Sequence, residues 1–225
     1  MDAVALLRAE AGTSPSGTGS FSYFTNFSLL VDNFAFAKQV QILGHDVGTG
    51  SWGFHPCSFS SSVPGNGEIW IAHVGGSRLD QFVVEYQVLD NTFWGNNSGF
   101  NYALDTTAAE GTDGVGSVVL KPNLLAVAWV VDAGGNLKVD VLVKNLAFAK
   151  QVAIVYTTDN WATFQNAFGV FQQSLPPFGS PNQVNAELWA ISAPVGAGKN
   201  GQFAVFYGVN GSIFWDNNFG LNYSF

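Results

Sequence analysis

The chain repeats itself, and that constrains its fold more than any other feature. Asn33-Phe34-Ala35-Phe36-Ala37-Lys38-Gln39-Val40 returns as Asn145-Leu146-Ala147-Phe148-Ala149-Lys150-Gln151-Val152. Glu68-Ile69-Trp70 returns as Glu187-Leu188-Trp189, and Gln81–Tyr86 returns as Gln202–Tyr207. Each copy closes on a near-identical stretch, FWGNNSGFNY from Phe93 to Tyr102 and FWDNNFGLNY from Phe214 to Tyr223. The separation is 112 residues at the first block and 121 at the last, so the second copy carries nine more residues. Composition places them in the loop-like stretches Ser174–Asn182 and Ala193–Gly201. The tryptophans suggest the same alignment: Trp52 with Trp161, Trp70 with Trp189 and Trp94 with Trp215, leaving Trp129 unmatched. A repeat this long describes two homologous domains, and 225 residues suffice for both. The expected division is 1–103 for the first copy, a small, polar linker over 104–116, and 117–225 for the second copy.

Within a copy the apolar pattern is short and alternating. Val139–Val143, Gln151–Tyr156 and Phe203–Tyr207 are β-branched or aromatic runs, and turn sequences such as Ala133–Asn136 and Gly208–Gly211 punctuate the chain. No segment sustains a helical period. Gly 26 and Phe 20, with only 11% charged residues, fit many short strands better than amphipathic helices. The expectation is an all-β chain of two antiparallel sandwiches.

Charge removes several function classes. The formal net charge is −8, with 8 Lys+Arg against 16 Asp+Glu. Nucleic-acid binding begins with clustered cations that displace counterions, so no nucleic-acid partner is expected. No apolar run reaches membrane-spanning length, so no membrane insertion is expected either. The N-terminal stretch lacks the apolar core of a signal peptide. The reading is a cytoplasmic protein, or one released without a signal peptide. Cys57 is the only cysteine, which excludes an intramolecular disulfide. His45, His55 and His73 lack metal-ligand spacing, so neither a metal nor a cofactor is expected.

The block Asn-x-Ala-Phe-Ala-Lys-Gln-Val, followed by a Trp, an acidic-aromatic strand and a closing Trp-x-Asn-Asn-x-x-x-Asn-Tyr, resembles the family 21 carbohydrate-binding modules. These include starch-binding domains of fungal glucoamylases and glycogen-targeting subunits of protein phosphatase 1. The resemblance spans roughly 27–102 and 139–223. It implies immunoglobulin-like sandwiches that bind α-glucan without catalysis. Carried over where the motifs match, it implies carbohydrate-binding roles for Asn145, Lys150, Trp161, Glu187, Trp215, Asn217 and Asn222 in the second copy. The first copy offers Asn33, Lys38, Trp52, Glu68, Trp94, Asn96 and Asn101 at the same places. It departs at Gly95, where the second copy has Asp216, and at Gly48–Trp52, which replaces an acidic turn. No basic segment precedes a phosphatase-docking motif, so phosphatase binding is not expected.

The chemistry of a sugar agrees with this set. A pyranose shows C–H groups on one face and hydroxyls around its rim. A Trp covers the face, burying apolar area at about 25 cal/mol per Å², and Asn offers donors and acceptors to the rim. Trp52 and Trp161 lie among polar turn residues and are the strongest stacking candidates. Each residue also has a structural reading. Leu146 and Phe148 alternate as core residues do, and Trp70 and Trp189 sit on apolar strands as core aromatics. Asn145, Asn96 and Asn217 suit turns as well as ligands, and Tyr102 and Tyr223 read as anchors. A glycosidase would need two carboxylates facing each other across a cleft, and no such pair repeats, so no catalytic residue is expected. The expected partner is a polysaccharide or other glycan, bound bivalently. The alternative is a lectin on the same fold that recognises glycans such as galactosides. The sequence is compatible with an oligomer.

Overall fold

The computed structural model describes residues 3–107, 110, 113–175 and 185–225. The chain divides into two compact units, the first built on Met1–Lys121 and the second on Pro122–Leu175 and Val184–Phe225. The first unit contains β1 (Val4–Gly17), β2 (Ser20–Asp32), β3 (Lys38–Asp46), β4 (Ser51–Pro56) and β5 (Ser58–Val63). It continues with β6 (Gly67–Gly75), β7 (Leu79–Val88), β8 (Asn91–Gly95), β9 (Tyr102–Ala103) and β10 (Gly114–Leu120). One sheet runs β10-β1-β2-β6-β5, and the other runs β4-β3-β7-β8 with β9 also on β7. The second unit contains β11 (Leu124–Val131), β12 (Asn136–Lys144), β13 (Lys150–Thr157) and β14 (Gln165–Leu175). After these come β15 (Ala186–Pro194), β16 (Gln202–Val209), β17 (Ser212–Asp216) and β18 (Tyr223–Ser224). Its order is β11-β12-β15-β14-β13-β16-β17, with β18 on β16. Both units are antiparallel β-sandwiches, as the alternating pattern requires.

Strand β14 bends between two sheets. Gln165–Phe168 pairs with β13, and Gly169–Leu175 pairs with β15. Gly169 stands at the changeover, where a Cβ would meet Ile191 Cγ1 and the Val152 carbonyl oxygen at 3.2 Å each. In the first unit the same path is split at Cys57 into β4 and β5, which pair with β3 and β6. The cores follow the period of two. Along β12, Leu137, Val139, Val141 and Val143 are buried while Lys138 is exposed. Phe203 stacks on Tyr223 with ring centroids 5.1 Å apart, and Phe82 stacks on Tyr102 at the same 5.1 Å. Tyr207 Oη donates to the Lys144 carbonyl and Tyr86 Oη to the Asp32 carbonyl, both at 2.7 Å.

The segment read as a linker is more structured than its composition suggests. Leu104 is buried in the first core. Gly114–Leu120, which the sequence split between linker and second copy, pairs with β1 as an added edge strand of the first unit. Strand β11 has no such neighbour among the described residues. By register on their hairpin partners, Trp129 stands where the first unit has Ala9. Ala9 is buried and pairs with Val119 of β10. Trp129 instead lays its own ring over Tyr223 (4.8 Å) and Phe203 (5.8 Å) and donates Nε1–H to the Ser224 carbonyl. No helix among the described residues is long and apolar enough to cross a membrane.

Candidate functional site

In the second unit the repeated Asn-x-x-x-x-Lys block bends into the start of β13 and closes over β14 and β15. Lys150 is almost wholly buried there. Its Nζ donates to Asn145 Oδ1 at 2.6 Å and to Glu187 Oε2 at 2.7 Å, and the two charged side chains are 3% and 8% exposed. Trp189 Nε1–H donates to the same carboxylate oxygen at 3.0 Å, and Phe171 meets the indole edge-on at 6.0 Å. A buried ion pair survives only when its remaining lone pairs and protons are satisfied. Here Asn145 and Trp189 supply those partners. Around this cluster lies a cavity of about 560 Å³, walled by Phe148, Phe171 and Trp189 with Asn145, Lys150 and Glu187 behind them. Phe148 projects fully into solvent at its rim.

The first unit repeats the cluster atom for atom. Lys38 Nζ donates to Asn33 Oδ1 at 2.5 Å and Glu68 Oε2 at 2.8 Å, and Trp70 Nε1–H donates to Glu68 at 2.8 Å. Phe59 meets Trp70 edge-on at 6.2 Å, and Phe36 is fully exposed.

The carried-over polar residues therefore converge, and the aromatics around them correct the sequence reading. Phe148 and Leu146 were expected in the core, yet Phe148 is wholly exposed and Leu146 more than a third exposed. The alternation argument fails because 145–149 is not a strand; β13 begins only at Lys150. Trp70 and Trp189 are half-buried and pack against the cores, as expected in part, while Trp189 also lines the cavity. Phe148, Phe171 and Trp189 were missed as candidates. One signal for Phe148 was available: Phe recurs at the same step of both blocks.

A second surface in the second unit gathers Trp161, Trp215, Asn217 and Asn222 around a shallow depression of about 340 Å³. Trp161 sits in a left-handed turn residue, φ +67°. The turn is organised by Asp159, whose carboxylate accepts from Thr163 N–H (2.9 Å), Thr163 Oγ1 (2.6 Å) and Thr157 Oγ1 (2.7 Å). These bonds, those from Thr163 foremost, hold the Asp159 carboxyl below its usual range. Trp161 Nε1–H donates to Gln202 at 2.6 Å, fixing the ring over β16. Asn217 caps the turn Asn218–Gly220 by accepting from Gly220 N–H, and Asn96 does the same for Gly99. Both asparagines thus carry a turn role, leaving their amide N–H groups toward the surface. Asn101 and Asn222 are both left-handed, at φ +57°.

The first unit does not reproduce this surface. Trp52 of β4 pairs with His45 of β3, whereas register places Thr49 at the position equivalent to Trp161 and Phe164 at that equivalent to Trp52. Trp52 is 45% exposed and tilts against His45, whose Nδ1 pairs with Asp80 at 2.6 Å. Trp94 and Asn96 instead border a different cavity, with Gly95 between them. The Asp216 carboxylate that replaces Gly95 is buried, accepting from Ala126 N–H (2.8 Å), Tyr223 Oη (2.8 Å) and Asn218 N–H (3.3 Å). Burial pushes its carboxyl above the ordinary Asp value. Burial likewise pushes the Cys57 thiol up to about 12. Among the described residues no group of three or more His, Cys, Asp or Glu side chains is placed to hold a metal.

Residues 121–225 match the model of the carbohydrate/starch-binding module, family 21. That span is similar to the family 21 carbohydrate-binding modules. The chain is 34% identical over 92 residues to glucoamylase 1 of Rhizopus oryzae, covering 40% of this chain and 14% of that protein. It is 33% identical over 85 residues to protein phosphatase 1 regulatory subunit 3C of Bos taurus (37% of this chain, 26% of the relative). Subunit 3B of Xenopus tropicalis is 35% identical over the same length (37% and 27%). The chain thus spans no more than about a quarter of these relatives. Among solved structures, the starch-binding domain of Rhizopus oryzae glucoamylase in complex with β-cyclodextrin and maltoheptaose is similar at 23% identity and a TM-score of 0.36. That match covers 47% of this chain and 94% of the other. The carbohydrate-binding module of the muscle glycogen-targeting subunit of protein phosphatase-1 is similar at 20% identity and a TM-score of 0.35, covering 45% and 73%. Both surfaces of the second unit, the cavity at Trp189 and the depression at Trp161, lie within the residues that match this family model.

Proposed function

We propose that this chain is a non-catalytic, bivalent binder of α-glucan, a starch- or glycogen-like polymer, with a saccharide surface on each unit. The observation that carries this reading is the cavity at Trp189 in the second unit. Three aromatic side chains there surround a fixed cluster of Asn145, Lys150 and Glu187. An aromatic ring left fully in water, as Phe148 is, gains by being covered, and the C–H face of a pyranose is a cover of matching size. Burying about 100 Å² of apolar surface contributes roughly 2.5 kcal/mol, which alone gives association no tighter than roughly 10 mM. Joining sites on two units raises the avidity for one polymer when both engage it, which is the advantage of a repeated cluster.

The carboxylates support a binding rather than a catalytic role. Glu68 and Glu187 are each held by a buried lysine and an indole N–H. Asp216 is turned inward to Ala126 and Tyr223. Carboxylates held by internal partners in this way favour positioning over the paired acid and base that glycoside hydrolysis needs.

The test uses Phe36→Ala, Phe148→Ala and the double variant in amylose-resin retention and maltoheptaose titration. Because both rings are fully exposed, truncation should leave the fold intact. Each single variant is expected to weaken retention and the double to lose most of it. Unchanged retention in the double variant would overturn the reading. Binding to galactosides with none to amylose would replace it with the lectin.

A further inference from the structure

We infer that the cavity at Gly95 in the first unit binds the carboxylate of a small acid, either a simple organic acid or a sugar acid. It does so where the second unit holds a carboxylate of its own. The inference does not depend on the α-glucan reading, since its ligand is an anion and not a neutral saccharide.

The second unit shows what this part of the sandwich is built to hold. The Asp216 carboxylate accepts there from Ala126 N–H at 2.8 Å, Tyr223 Oη–H at 2.8 Å and Asn218 N–H at 3.3 Å. The register carries each donor back to the first unit. Val205 pairs with Asp216 as Val84 pairs with Gly95. Ala126 precedes the one-residue bulge of β11, and Leu6 precedes the corresponding bulge of β1. Asn97 and Asn218 share a left-handed backbone, φ +53° and +50°, and donate Nδ2–H to the Asn101 and Asn222 carbonyls. Tyr102 stacks on Phe82 and Tyr223 on Phe203, each at 5.1 Å, so the two phenol rings are held alike. The three donor positions are therefore common to both units, and the acceptor side chain belongs to one of them.

The surroundings of Gly95 suit an acid from outside. Leu6, Asn97, Tyr102 and Lys121 line one cavity of about 390 Å³, which has room beyond a carboxylate for a small body attached to it. Among the described residues that line it there is one cation, Lys121, and no carboxylate. Lys121 Nζ stands 5.6 Å from the centroid of the Tyr102 ring, whereas the equivalent Tyr223 is covered by the neutral indole of Trp129 at 4.8 Å. The unit without the internal carboxylate thus has an ammonium beside the same phenol. Hydrogen bonds to a carboxylate are charge-assisted and roughly twice as strong as neutral ones. The net charge of −8 opposes anions only at range, because charges are screened beyond about 8 Å at physiological ionic strength. Packing does not demand the glycine either. A Cβ at Gly95 would meet Val84 Cβ at 3.4 Å and the Val4 carbonyl oxygen at 3.6 Å, both ordinary contacts. One step along β8 from Trp94, Gly95 also faces the other side of the strand.

The test fills the site from within. The full isotope-labelled chain is titrated by NMR with sodium acetate, sodium glucuronate and glucose, with sodium chloride holding the ionic strength constant. Acid binding is expected to shift a set of amides that includes Leu6 and Asn97, and glucose is expected to leave that set unmoved. Gly95→Asp places the second unit's carboxylate among the donors and should abolish acid binding. Lys121→Met should weaken it about tenfold, the share of one charged hydrogen bond. Thermal unfolding of both variants shows whether they remain folded. Acetate binding as well as or better than glucuronate identifies a simple acid, and tighter glucuronate identifies a sugar acid; either supports the inference. Binding of neither acid, glucose shifting the same amides, or acid binding unchanged in folded Gly95→Asp would overturn it. Should Gly95→Asp unfold, Lys121→Met decides, and unchanged affinity there would overturn it too. Amylose retention by the same wild-type chain tests the α-glucan reading separately.

Discussion

Replacing Lys150 with methionine removes one charge and little volume, which isolates what the ammonium does. Met matches the length of the lysine stem, and such swaps in a packed site cost less than about 1.5 kcal/mol. The charge is another matter. If the pair with Glu187 behaved as a surface salt bridge, its loss would cost about 0–1 kcal/mol. The side chains are 3% and 8% exposed, however. The loss therefore strands a buried carboxylate that keeps the Trp189 indole N–H at 3.0 Å. Breaking a buried pair from one side costs about 3–5 kcal/mol, which is two to three orders of magnitude or more in the folding constant. Adding Glu187→Gln removes the stranded charge while keeping an oxygen for Trp189. The double variant is therefore expected to recover more than half of the loss, a coupling of roughly 2 kcal/mol.

The assay is urea unfolding of the wild type, both single variants and the double, with tryptophan fluorescence resolving the second unit's transition and m-values checked for constancy. The first unit supplies a replicate. Lys38 lies 2.8 Å from Glu68 with side chains 3% and 10% exposed, so Lys38→Met should lower that unit's transition by a similar amount and leave the other alone. A loss under about 1 kcal/mol, or no recovery in the double variant, would refute the view that the cluster is a buried, mutually satisfied unit.

Asp159→Ala should leave the second unit folded but weaken saccharide retention at the Trp161 surface, because the carboxylate organises the turn rather than the core; retention equal to wild type would sink this. The Asp216 carboxyl is held by burial above its ordinary value of 3.8, so the stability it contributes is full below that value and lost as pH rises through the folded one. The unfolding free energy of the wild type should therefore fall more steeply than that of Asp216→Asn between about pH 4 and neutrality, and parallel profiles would contradict it. With its thiol raised from 9.0 to about 12, Cys57 should be alkylated by iodoacetamide at pH 8 on the order of 10³ times more slowly in the folded chain than in urea; comparable rates would mean that the junction of β4 and β5 opens readily.

What the sequence made legible follows from which physical signals are local. The two sandwiches were readable because strand alternation and repeat both act at the level of single residues. The Asn–Lys–Glu cluster was readable because it recurs at matched positions in both copies. Trp52 was misaligned for an instructive reason. Pairing tryptophan with tryptophan treats residue type as the invariant, whereas a sheet preserves register: His45 faces Trp52 just as Thr157 stands in line with Phe164. A side chain displaced by three positions then points elsewhere, because faces alternate along a strand. Phe148 was misjudged because alternation was applied to a segment that is not a strand, and β10 was hidden because small and polar residues upstream of it masked a short branched run, Val118-Val119-Leu120. The cavity at Gly95 shows the remaining limit. Gly95 departs visibly from Asp216 along the chain, but only the fold brings Leu6, Asn97, Tyr102 and Lys121 around it. Divergence between repeats is therefore best read with its neighbours in space rather than in aligned motifs alone. The backbone keeps the donors in place in both units, so the loss of one side chain can change what is bound without changing the fold.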